Sequence, residues 1–165
     1  MIEQLLAFVL PAAFALLPEE MQSLEATALL LAIGLQESRF QFRRQVGGPA
    51  RSFWQFELGG LEGVLEHRAT EPILEGIIRT LKYDTASNEE LLAALEHNDV
   101  LAACCARCLL WTLPGGLPAA DNAPAGWRMY VDAWRPGKPR VETWKENYTV
   151  AWQRVTATKG QTLKA

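Results

Sequence analysis

The sequence predicts an all-α single domain, on three observations. Apolar residues recur at helical spacing along most of the chain. The alternation that marks half-buried strands is almost absent. No internal repeat and no linker-like stretch divides the 165 residues, a length that suffices for one sizeable core. With 49% apolar and 21% charged residues, the composition is that of a globular chain rather than a disordered or fibrous one.

The elements follow in order. MIEQLLAFVLPAAFALL, residues 1–17, has Glu3 where a signal peptide has positive charge, and Pro11 interrupts it. It is shorter than the roughly 20 residues of a membrane span. It reads as a broken core helix, so the expectation is cytoplasmic synthesis without an export signal and no stable membrane insertion. Residues 20–40 read as a long apolar helix with the acids after Pro18 in its first turn. In 71–83, Ile73, Leu74, Ile77, Ile78 and Leu81 share a face, and Pro72 fits the first turn. Ser87 with Glu90 forms a capping-box pattern. Asn98 or Asp99 suits the cap of DVLAACCARCLLW, which Pro114-Gly115-Gly116 stops. Two further helices carry apolar faces, Trp127, Tyr130, Val131 and Trp134 on one and Trp144, Tyr148, Ala151 and Trp152 on the other. WRPGKPR breaks the chain between them.

Charge is uneven. Residues 1–125 carry 8 Lys/Arg against 16 Asp/Glu, and residues 126–165 carry 8 against 3. A basic tail suits an anionic partner or simply a solvated helix face. Its cations interleave with acids and no DNA-binding pattern occurs, so no nucleic-acid partner is expected. His97, Cys104, Cys105 and Cys108 have the spacing H-x6-C-C-x2-C, without the paired CxxC knuckles of structural zinc sites. The cysteines read as buried thiols, and no metal or other cofactor is implied. His67 and His97 are isolated and receive no role.

The stretch ESRFQFRRQVGGPARSFWQFE, residues 37–57, carries the chemistry. Glu37 ends the most apolar helix on the face of Leu30, Ile33 and Gly34. Desolvation there raises a carboxyl pKa, the condition for a general acid near neutral pH; the alternative is a helix-end Glu turned to water. Gly34, one turn earlier, leaves room for a ligand or another helix. Beyond the turn at Gly47-Gly48-Pro49, Phe53-Trp54-Gln55-Phe56-Glu57 alternates aromatic and polar groups. Such a segment suits sugar rings, which offer apolar faces and hydroxyls, although an aromatic stripe also suits a core.

Glu37-Ser38-Arg39-Phe40 resembles the E-S-x-F signature of the lysozyme-like lytic transglycosylases, and Ser52-Phe53-Trp54-Gln55-Phe56 resembles their Gly-rich segment ending in a cleft glutamine. Phe53-Trp54 depart from the usual Gly-Leu/Met wording. Leu110 to Gly115 is similar to the family's A-Y-N-A-G-P segment, with Trp111 in the tyrosine's place. Glu142-Thr143-Trp144 with Asn147-Tyr148 is similar to its E-T-x-x-Y-V segment. The chain also resembles small phage and prophage lysozyme-like proteins. The resemblance implies one lysozyme-like domain of transglycosylase or goose-type lysozyme kind over 1–165. It implies a monomer acting on peptidoglycan glycan strands, reaching the wall through a pore-forming partner or in a virion. It further implies Glu37 as catalytic acid/base, Ser38, Phe53, Trp54, Gln55 and Trp111 along the substrate, and Tyr148 beside Glu37. Glu57, two positions past Gln55, is placed along the substrate by the period of two.

One acid suffices for a lytic transglycosylase, because the muramyl 6-hydroxyl attacks its own anomeric carbon; pre-organisation supplies up to roughly 7–11 kcal/mol. A hydrolytic muramidase more often needs a second acid, and Glu57 is the acid at hand unless Arg43, Arg44 or Arg51 occupies it. A non-catalytic glycan-binding virion or tail component is the remaining alternative.

Overall fold

The computed structural model describes residues 1–162. Among them there is no strand, only isolated bridges pairing Arg51 with Arg44 and with Phe56. The chain is all-α.

The expected break at Pro11 is a change of pitch. Helix α1 (Ile2–Gln4) runs through a π turn at Leu5–Val9 into α2 (Leu10–Leu16). Proline has no N–H to give the preceding turn, and a widened turn accommodates the loss. Leu5, Leu10, Ala13 and Phe14 still face inward.

Helix α3 (Leu24–Glu37) begins later than the acids at 19 and 20 suggested. Those residues sit in a 3₁₀ turn, Glu19–Met21, and Ser23 caps the helix by accepting the Ala26 N–H at 3.0 Å. A Ser side chain in reach of the N3 amide defines the start more strongly than acids placed upstream. Along α3 the residues Ala28 to Gly34 are all buried, as expected of a helix apolar all round. Leu29, Leu30, Leu31 and Ile33 each contribute about 1.5–3 kcal/mol by leaving water.

After the 39–57 segment comes α4 (Leu58–Glu66), a helix that its glycines Gly59, Gly60 and Gly63 concealed in the sequence. Helix α5 (Glu71–Thr80) stops short of the expected residue 83, because Lys82 turns left-handed and Tyr83 donates back to the Ile78 carbonyl at 2.9 Å. Helix α6 (Asn88–Leu95) opens on the Ser87–Glu90 capping box. Helix α7 (Asp99–Trp111) is capped by Asn98, whose side chain accepts the Leu101 N–H at 3.0 Å. Cys104, Cys105 and Cys108 are free and buried on α7. Burial pushes the thiols of Cys104 and Cys108 up to about 12, which keeps them protonated and inert.

Helices α8 (Ala123–Trp134) and α9 (Val141–Thr162) complete the fold. Arg135, left-handed at φ 47°, ends α8 before Pro136. Helix α3 is the centre: α9 lies along it, α7 touches it too, and α2 packs on α7. Among the described residues no helix is long and apolar enough to cross a membrane.

Helices α8 and α9 approach closely at Gly126. A Cβ there would stand 2.6 Å from Cε2 of Tyr148, whose hydroxyl is fixed by donation to the Ala119 carbonyl at 2.7 Å. Gly126→Ala, though better in a helix interior by propensity, should therefore destabilise the protein by about 1–3 kcal/mol through overpacking. A fall in Tm by thermal unfolding is the expected outcome, and an unchanged or raised Tm would refute it.

Candidate active site

The segment after α3 turns sharply. Arg39 and Phe40 are both left-handed, at φ 52° and 55°, each costing roughly 1–2 kcal/mol for a residue with a Cβ. The turn sends the Phe40 ring back against Gly34, where a Cβ would collide with it. The space left by Gly34 thus admits Phe40, neither a ligand nor a second helix. Phe40 is buried, edge-on to Phe53 at 5.4 Å and to Trp54 at 6.4 Å between ring centroids. That burial offsets the strain.

Ser38 is buried and works as a strut. Its hydroxyl donates to the Phe53 carbonyl at 2.7 Å and accepts the Phe40 N–H at 3.1 Å. A second tight turn follows at 52–55, with Ser52 and Gln55 at φ 68° and 52°. Arg51 and Phe56 exchange backbone hydrogen bonds of 2.8 Å across it. Phe53 and Trp54, expected along the substrate, are instead core residues exposed by 1% and 0%. Trp54 donates its indole N–H to the Leu30 carbonyl at 2.9 Å, fastening the turn to α3. The reason is hydrophobic burial: two large aromatics fill the space between the turn and α3.

The result is a cleft of about 1020 Å³ that Glu37, Ser38, Gln55, Phe56 and Glu57 line together with parts of α4 and the α8–α9 connection. Gln55 donates its amide to the Ser52 carbonyl at 2.6 Å. Gln55 and Glu57 reach the cleft from a turn and a helix cap rather than from an extended strand. Glu57 is exposed, and two of the nearby arginines are engaged elsewhere. Arg43 grips Asp99 through two bonds of 2.8 and 2.7 Å, and Arg51 pairs with Glu96 at 3.2 Å. Among the described residues Glu57 has no ion-pair partner.

Two expected residues lie elsewhere. Trp111 stands under the Arg107 guanidinium, 5.0 Å from ring centroid to Cζ, beside a smaller cavity of about 320 Å³ between α7 and the start of α3. Tyr148 points its hydroxyl at the carbonyls of Pro118 and Ala119, not at Glu37. One residue along a helix turns the side chain by about 100°. It is Asn147, one position earlier, that faces α3.

The tyrosine at Glu37 is Tyr130, whose hydroxyl donates to Oε1 at 2.6 Å. In the sequence it looked like one more apolar position among Trp127, Val131 and Trp134; being the one hydroxyl on that face was its only signal. Its ring stacks on Trp144 at 5.2 Å and 10°. Trp134, also missed, lines the cleft and donates its indole N–H to the Trp54 carbonyl at 2.7 Å. The buried amide of Gln36 accepts from Thr143 at 3.1 Å and Asn147 at 2.8 Å and donates to the Arg140 carbonyl at 2.9 Å. Arg140 in turn donates to the Gln36 carbonyl at 3.0 Å, which brings its cation next to Glu37.

Burial raises the Glu37 carboxyl above the ordinary carboxylate range. The Tyr130 hydrogen bond and the Arg140 cation pull it back, and Glu57 pushes it up slightly. Burial wins. Oε1 is committed to Tyr130, so in the neutral acid the proton belongs on Oε2. Such a group holds its proton more firmly than an exposed glutamate, which is the direction a general acid requires. Among the described residues no cluster of three His, Cys, Asp or Glu is arranged to hold a metal. Comparison with protein families, curated proteins and solved structures finds no match.

A raised acid is destabilising when ionised. Both folded and unfolded chains carry the proton below the unfolded pKa of about 4.3, and stability is lost as pH rises from there through the folded value. Glu37→Gln should therefore raise Tm at pH 7, with the gain vanishing below about pH 4. Tyr130→Phe should move the Glu37 titration further upward in ¹³C NMR of the carboxyl. A Tm difference independent of pH, or a downward shift in Tyr130→Phe, would contradict this account of the site.

Proposed function

We propose that the protein cleaves the β-1,4 bond between N-acetylmuramic acid and N-acetylglucosamine in peptidoglycan, as a lysozyme-like lytic transglycosylase with Glu37 as its acid and base. The observation that carries the reading is a half-buried carboxyl with a raised pKa, held by Tyr130, on a large open cleft. The likeness of residues 37–40 and 52–56 to the family's two signatures supports the substrate class.

In this reading the Oε2 proton of Glu37 passes to the glycosidic oxygen as the bond to the anomeric carbon breaks. The carboxylate left behind, steadied by Tyr130 and Arg140, takes the proton of the muramyl 6-hydroxyl while that oxygen closes on the anomeric carbon. Glu37 ends protonated again, and the muramic acid ends as a 1,6-anhydro sugar. No second acid is required.

Hydrolysis is the second reading, favoured by one observation. Glu57 lines the same cleft and lacks an ion-pair partner among the described residues, so a carboxylate is available to activate water.

Digestion of purified peptidoglycan with mass analysis of the released muropeptides tests both. The expected result is soluble fragments with 1,6-anhydro ends, at least ~10²-fold fewer from folded Glu37→Gln. Reducing muramic acid ends together with an inactive, folded Glu57→Gln would establish hydrolysis. Undiminished release by Glu37→Gln would remove Glu37 from the mechanism.

A further inference from the structure

Helix α4 is built against its own interest. Gly59, Gly60 and Gly63 stand in its nine residues, and glycine is the poorest helix former but proline. The fold demands none of them. A Cβ at 59 or 63 would meet nothing within 4 Å, one at 60 would touch only the Phe56 ring at 3.9 Å, and none of the three is left-handed. All three line the cleft that holds Glu37. So do Phe42 and Val46, which leave large apolar side chains 54% and 86% exposed.

Just past α4, His67 also lines the cleft. Its Nδ1 accepts the Ala69 N–H at 3.2 Å, which puts the ring proton on Nε2. That N–H has no partner among the described residues. From Gly59 to His67 the helix rise is about 12 Å. The surface so formed, beyond the Glu57 carboxylate at the helix cap, is bare backbone with exposed apolar groups and one hydrogen-bond donor. The glycines and the exposed apolar groups are unfavourable in the free protein, and all share one cleft with the His67 donor.

We infer that the α4 side of the cleft binds a run of N-acetylated sugar rings adjoining the bond to be cut. The rings lie on the glycine face with their apolar sides toward Phe42 and Val46, and an acetamido or hydroxyl oxygen accepts from His67 Nε2. A wall of bare backbone and apolar side chains suits the flat faces of sugar rings. The inference rests on the cleft being a glycan site, and it makes Gly59, Gly63 and His67 determinants of chain-length preference.

The test uses the full chain carrying Glu37→Gln, to prevent turnover, and the β-1,4-linked N-acetylglucosamine hexamer as probe in titration calorimetry. Adding Gly63→Gln should weaken hexamer binding about tenfold. The same variant and Gly59→Ala should raise Tm by about 2–4 °C, since a better helix former enters open space. Without any change in α4, the hexamer should shift the amide NMR signals of residues 59–67. Equal hexamer affinity with and without Gly63→Gln, or unmoved signals at 59–67 in a protein that binds, overturns this inference alone. Absence of hexamer binding by the Glu37→Gln parent overturns it together with the glycan reading.

Discussion

The side chain of Gln36 holds the site in register. It is exposed by only 3%, so its amide must find partners within the protein. It finds them all on one side: the Arg140 carbonyl, the Thr143 hydroxyl and the Asn147 amide. Loss of the Arg140 carbonyl, or of Thr143 and Asn147 together, would strand a buried polar atom, at about 1–3 kcal/mol. The first turns of α9 are thereby fixed against the last turn of α3, one residue before Glu37. Tyr130 reaches Glu37 only because α8 rests on α9 through Gly126 and the Tyr130–Trp144 stack.

The aromatic mass around that junction has an electrostatic effect as well as a packing one. Trp127, Trp134 and Trp144 each pack on Tyr130, with ring centroids 5.2 to 6.3 Å apart, and Tyr130 carries that cluster to the carboxyl. Rings exclude water, and a carboxyl next to them loses hydration that one hydrogen bond and one exposed cation only partly replace. The helix end is left with an acid easier to protonate than a surface glutamate. On the other side of the cleft Glu57, open to solvent, has no such environment.

Much of the helical frame was legible because its signals are local. The Ser87–Glu90 box, the Asn98 cap and the apolar faces of α5, α8 and α9 each depend on residues a few positions apart. Helix α4 was not, since three glycines erase the propensity that marks a helix. Glu37 stood out by being acidic at the end of an apolar run. Its partners did not, because Tyr130 and Arg140 are 93 and 103 positions away and are set by helix rotation, which a one-residue difference reverses. The resemblance put Tyr148 at Glu37, whereas it is Asn147, one position earlier, that faces α3 and bonds Gln36. Phe53 and Trp54 were misplaced for a related reason: aromatic residues in a turn read alike whether they face a cleft or fill a core.

The pairing of α3 with α9 also sets an order of events as the chain folds. Residues 36 and 147 are 111 positions apart, and contacts at such separation form late because the intervening chain must first be confined. Before that, Glu37 ends a helix with neither Tyr130 nor Arg140 beside it and with its face open to water. It is then an ordinary surface carboxyl. The surroundings of Glu37 are therefore complete only once residues 130 to 147 have been added.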